Sequence, residues 1–170
     1  MNAKLRWFGW SFGVFVLLLG GSLFFLDQID SIVWHLSHRN RLAFDHYTLA
    51  LPYFWHPSPE VSDGGVSIWN ANNPAQLRIE KDRLQGFLAS DQDGRIWQKR
   101  YETANSLFKN PENRFVRSDF RSKAGLWVCV EQNGMYSSFL CKLVGTDLVA
   151  KFMGKPKLVN DAKSILTTLE

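Results

Sequence analysis

Two cysteines, four histidines and one pair of aspartates are the residues of this chain whose types and spacing could do chemistry. Cys129 and Cys141 lie in GLWVCVEQNGMYSSFLCKLV, where residues 126–131 and 139–144 read as strands around the turn-forming Asn133 and Gly134. Pairing these strands at 129 and 141 gives a hairpin in which Trp127 and Leu143 share a face with both sulfurs. A disulfide there would close about a dozen residues, stabilise the fold by about 3 kcal/mol and require an oxidising compartment. The other reading is a pair of buried thiols. A catalytic pair is disfavoured, because the spacing is not the CxxC that lowers a thiol pKa.

His35 and His38 stand three apart in a stretch of helical periodicity and could share a face for a transition metal. No carboxylate or thiol at a suitable spacing completes that site. His46, at a strand start, and His56, in a proline-rich loop, read as surface or packing residues. Asp91 and Asp93 before Gly94 resemble the start of a calcium loop but lack its later ligands and closing Glu, so they read as a turn. No GxSxG, HExxH, P-loop or Rossmann glycine pattern supports nucleophilic, metalloprotease or nucleotide chemistry. A paired-carboxylate site would leave no comparable trace. The sequence therefore assigns no catalytic residue, no cofactor and no metal.

Aromatic residues are the remaining candidates for recognition. Trp7, Trp10 and Trp34 suit a bilayer interface, while Trp69, Trp97 and Trp127 occupy core-like periodic positions. The loop PYFWHPSPE differs, since Tyr53, Phe54, Trp55 and His56 follow one another where a simple turn needs no such cluster. These four could dock a partner, lie on a membrane or form the mouth of a pocket; alternatively they cap the open end of the core.

The elements that would position these residues begin with an apolar segment. Residues 7–26 form a run of twenty without a charge, about 30 Å as a helix and long enough to cross a bilayer. Lys4 and Arg6 precede the run and Asp27 and Asp30 follow it, which keeps residues 1–6 in the cytoplasm and sends the chain outward. Residues 27–41 then read as a juxtamembrane helix or linker, with Ile29, Ile32, Val33 and Leu36 at helical spacing. A cleaved signal peptide, with Gly20 and Ser22 as its small residues, and a buried soluble helix are the alternatives.

Residues 42–170 have the composition of one folding domain: 21% of the whole chain is charged, 45% hydrophobic and 14% aromatic, which excludes disordered and collagen-like classes. The net charge of +4 comes from scattered basic residues, so a nucleic-acid partner is not expected. Strands are predicted at 46–51, 66–70, 75–81, 114–120 and 147–153 besides the cysteine hairpin. A helix is predicted over 95–109, with a hairpin over 84–100 as its alternative, and a terminal helix over 157–169 carries Leu158, Ala162, Ile165, Leu166 and Leu169 on one stripe. The expected class is α+β: an N-terminal transmembrane helix, then a mainly antiparallel sheet packed with a central and a C-terminal helix.

The opening YTLALPYFWHP and the close LVAKFMGKPKLVNDAKSILTTLE resemble the first strand and the final strand and helix of PsbP-like domains, over roughly residues 46–169. The apolar N-terminal segment and the cysteine pair depart from that family. The resemblance implies a non-enzymatic accessory or binding domain and assigns no residue a role. The expected protein is thus a single-pass inner-membrane protein of a bacterial envelope. Its partners are the lipid bilayer, through residues 7–26, and other envelope proteins that its periplasmic domain would scaffold. A tethered binding domain for a small hydrophobic ligand and an envelope enzyme with an unrecognised site are the alternatives.

Overall fold

The computed structural model describes residues 25–58, 65–81, 99, 103 and 114–170. Residues 25–38 are helical (α1), and a two-stranded antiparallel sheet follows, β1 (Arg41–Phe44) with β2 (Tyr47–Ala50). The chain then forms β3 (Trp55–Pro57), β4 (Gly65–Asn70), β5 (Gln76–Lys81), β6 (Arg114–Ser122), β7 (Gly125–Asn133), β8 (Ser137–Leu143) and β9 (Leu148–Gly154). A 3-10 turn (Pro156–Leu158) leads into α2 (Val159–Thr167).

β3 to β9 make one antiparallel sheet in the order β3-β4-β5-β9-β8-β7-β6. Two meanders, β3 to β5 and β6 to β9, are therefore joined where β9 pairs with β5. The register carries apolar rows across that joint: Ile68, Leu77, Phe152 and Phe139 stand opposite one another in turn, as do Ile79, Ala150, Cys141 and Cys129. α2 packs Ala162, Ile165 and Leu166 into the same core. Residues Val128, Val130 and Val149, of opposite pleat, are buried as well. The centre of the sheet is thus buried on both faces, which explains why β7 reads as a near-continuous apolar run and not as a strict alternation.

The small sheet is tied to the large one at both ends. Asp45, at φ 54°, turns the β1–β2 hairpin, and its carboxylate meets Lys81 Nζ at 2.8 Å at the end of β5. Hydrogen bonding to Lys81 holds the Asp45 carboxyl below its usual range. At the other end, Thr48 N–H donates to Glu170 O at 2.9 Å and Glu170 N–H returns the bond to Thr48 O at 3.1 Å. The chain after α2 therefore clamps β2 in place.

The expected class is overturned. The described residues are mostly antiparallel sheet, with two helices, α1 and α2, beyond the helical positions 99 and 103. No helix among the described residues is long and apolar enough to cross a membrane. α1 carries Asp27, Gln28, Asp30 and Ser31 in its first half, so its composition is amphipathic and not that of a span. Residues 1–24, and with them nearly all of the predicted span, lie outside the described residues. So does the predicted central element, helix or hairpin, except for positions 99 and 103. The physical reason for the shift towards β is that period-2 patterning, extended by β1 and β3, governs most of the described chain.

Gly154, last in β9, allows a close approach at the joint between the meanders. A Cβ at this position would lie 2.6 Å from Ala75 Cβ and 2.9 Å from Phe152 Cζ. Gly154→Ala is expected to cost about 1–3 kcal/mol by overpacking, read as a lower denaturation midpoint with an unchanged slope.

Candidate functional site

Cys129 and Cys141 are directly opposed in the β7–β8 register and form a disulfide, with Trp127 opposite Leu143 two residues along. Both sulfurs sit in the core, and among the described residues no cysteine is free. The bond is consequently structural, since no solvent-borne partner reaches it without local opening.

The aromatic loop divides into an inside and an outside. Trp55, 1% exposed, enters the core on β3 and packs against Phe152, with ring centroids 6.5 Å apart. His56 follows on the same edge strand, opposite Trp69 of β4. Tyr53 and Phe54 remain exposed, their rings edge to face at 5.4 Å. Trp69, a core-like position in the sequence, is also exposed, whereas Trp127 is fully buried; Trp97 lies outside the described residues.

Polar side chains hold α1 against this loop. Ser31 Oγ donates to the Tyr53 carbonyl at 2.8 Å, and Gln28 Nε2 donates to Asn72 Oδ1 in the β4–β5 turn at 2.9 Å. The His35 ring stacks on Tyr53 at 5.4 Å, and its Nδ1 is 2.8 Å from Asn40 Oδ1. Asn40 follows Arg39 in the left-handed region, at φ 62° and 51°, a conformation that asparagine tolerates and that ends the helix. His35 is 4% exposed, and among the described residues its Nε2 has no hydrogen-bond partner. His38 instead stacks on Trp34 and approaches the Trp34 carbonyl at 3.1 Å. Both imidazoles meet the Trp34 ring, His35 edge-on and His38 stacked, but their Nδ1 atoms take different hydrogen-bond partners. Among the described residues no group of three or more His, Cys, Asp or Glu could hold a metal ion; Asp91 and Asp93 are not among them.

One polar cluster was not legible in the sequence. Ser118 on β6, Glu131 on β7 and Lys163 on α2 converge on the core face of the sheet edge. Glu131 accepts from both Ser118 Oγ and Lys163 Nζ, and Lys163 Nζ lies 3.1 Å from Ser118 Oγ. A serine–lysine mechanism uses the amine without its proton. Here the amine is bound by a carboxylate, and the cluster pins α2 to the sheet. Glu131→Gln is expected to cost about 1–2 kcal/mol, because the Lys163 charge loses its counter-ion in a largely buried position. Adding Lys163→Met should recover part of that loss in a double-mutant cycle read by chemical denaturation.

A recess of about 350 Å³ lies between β2, the β6–β7 turn and the end of α2, with Arg41, Lys123 and Glu170 at its rim. Lys123 pairs with Glu170 and holds its carboxyl below the ordinary range, so part of the basic charge there is already satisfied within the chain.

No protein-family model and no curated protein sequence matches this chain. Among solved structures, it is similar to a protein of Bacteroides thetaiotaomicron VPI-5482, at 18% identity and a TM-score of 0.37. The similarity covers 73% of this chain and 44% of that protein, so the chain spans less than half of its neighbour's length.

Proposed function

We propose that this chain is a bacterial envelope protein whose β-rich domain serves as a non-enzymatic accessory or scaffold on the periplasmic side of the cytoplasmic membrane. Residues 7–26 hold it at the bilayer, with the N-terminus in the cytoplasm. The observation that carries this reading is the buried Cys129–Cys141 disulfide, since such bonds form and persist in oxidising compartments. The PsbP-like resemblance supplies the accessory role. The clamped Ser118–Glu131–Lys163 cluster lends nothing to an enzymatic reading. A hydrophobic-ligand pocket beneath the aromatic loop is not favoured either, because Trp55 and Phe152 occupy the space where it would open.

Because both sulfurs are buried, the redox test must trap thiols before unfolding. Acid quenching of intact cells, then alkylation in denaturant with and without prior reduction, should modify the cysteines only after reduction. A phosphatase fused to the C-terminus should be active. Two thiols free without reduction would remove the observation on which the location rests. For the scaffold role, crosslinking in cells followed by capture from detergent extracts should return a reproducible envelope protein; repeated failure would remove it.

A further inference from the structure

α1 is an amphipathic helix packed with its polarity reversed. Gln28, Ser31 and His35, which recur at helical spacing, make its polar and ring contacts with the domain, and Trp34 packs half-buried against the core. Phe25, Leu26, Ile29, Ile32, Val33 and Leu36 are all exposed, Leu36 to 79%. At 100° per residue these six fall within a stripe about 120° wide, whose centre lies about 130° around the helix from the docked side chains. A helix on a water-soluble domain buries the apolar side. This one meets the protein through polar side chains and Trp34 and leaves its six-residue apolar stripe open.

What covers that stripe follows from the chain before it. The uncharged run 7–26 ends in Phe25 and Leu26, the first described positions of the stripe, so with that run as the tether α1 starts where the chain leaves the lipid. Orientation follows from length. Were α1 to stand along the membrane normal, Leu36 would be about 15 Å beyond Leu26, past a headgroup layer only about 5–7 Å deep. The stripe would then end in water. Lying in the plane of the surface, all of it reaches the acyl boundary at once. Tyr53, exposed and fastened to α1 through Ser31 and His35, adds an amphipathic ring beside the stripe, and the exposed Phe54 ring against it adds an apolar one. The register also brings the β4–β5 and β7–β8 turns to the same end of the sheet, so that exposed Met135 and Tyr136 stand at the end that α1 contacts through Asn72.

The geometry points to a lipid-surface site: α1 lies in the membrane interface with its outer stripe in the acyl boundary, and Tyr53 and Phe54 rest at headgroup level. This inference rests on the reading of residues 7–26 as the membrane tether. It adds that the domain is docked on the bilayer in one orientation and does not swing on a linker.

The test uses the full chain in phosphatidylethanolamine–phosphatidylglycerol vesicles, with one spin label at a time at Ile29→Cys, Val33→Cys or Leu36→Cys and the native disulfide left oxidised. Lys123→Cys, in a turn at the opposite end of the sheet, is the water-exposed control, and Val16→Cys reports on the tether. Collision with oxygen relative to a water-soluble nickel chelate should be several-fold higher at 29, 33 and 36 than at 123. Water-like ratios at those three positions, with Val16 shielded, would overturn the docked helix and leave the tether standing. Water-like ratios at Val16 as well would sink the tether reading and the docking with it. Dipolar broadening between labels at 33 or 36 would assign the stripe to a second copy of this chain, which also overturns the lipid site.

Discussion

The Cys129→Ala/Cys141→Ala variant is expected to lose about 3 kcal/mol of stability and about 10 °C in Tm. The bond links residues 12 apart in sequence, so its loss returns the closure entropy of a loop of that size to the unfolded chain. Set against a total of roughly 5–15 kcal/mol for a domain, this is a large share. The position adds to the cost, because both residues lie in the row formed by Ile79 and Ala150, where removing sulfur leaves unfilled space. Thermal melts of the oxidised wild type, the reduced wild type and the variant separate these contributions. A shift under about 1 kcal/mol in the variant would mean that the hairpin is already held by its strand pairing, and the bond would then report on the compartment more than on stability.

Trp55→Ala should cost about 3–5 kcal/mol, whereas Phe54→Ser, one residue away, should stay within about 0.5 kcal/mol of wild type. The two neighbours differ in what they touch. Trp55 is the buried anchor of β3, an edge strand of three residues, and it covers Phe152, which in turn stacks on Phe139 at 5.1 Å. Truncation would open a cavity where the edge strand closes the core, and so short a strand has little else to hold it. Phe54 has no comparable burial. Urea denaturation of both variants makes the comparison direct. A Phe54→Ser loss as large as that of Trp55→Ala would refute the division of this loop into an inside and an outside.

These variants also separate folding from docking. Phe54→Ser should weaken the grip of the domain on lipid without changing its melt, because its ring contributes at the surface alone. Trp55→Ala should do the reverse, lowering stability while the outer stripe of α1 stays unaltered.

Much of the fold was legible because neighbouring residues set it. The cysteine hairpin follows from two apolar runs around Asn133 and Gly134, and its 129–141 register is the one observed. The stripe Leu158, Ala162, Ile165, Leu166 and Leu169 is buried as its periodicity predicts. The predicted strands at 66–70, 75–81 and 147–153 appear within a residue of their bounds as β4, β5 and β9. β3 was missed because Pro57 in a proline-rich stretch reads as a loop; an edge strand tolerates a proline that a central one does not. β1 was missed because its turn at Asp45 and His46 lacks the usual asparagine–glycine or aspartate–glycine pair.

The sequence by itself determined the local matters: which segments alternate, where turns fall, which two sulfurs can meet and which helical positions form a stripe. Each depends on residues a few places apart, where backbone geometry alone dictates which side chains share a face. Only the tertiary structure decided the choice of partner. It set β9 between β5 and β8, put Trp55 inside and Phe54 outside, drew Ser118, Glu131 and Lys163 from three elements to one point, and turned the polar side of α1 toward the domain. Periodicity can show that α1 has two unlike faces. Which face meets protein depends on the groups waiting at Tyr53 and Asn72, dozens of residues away, and on what lies against the other side.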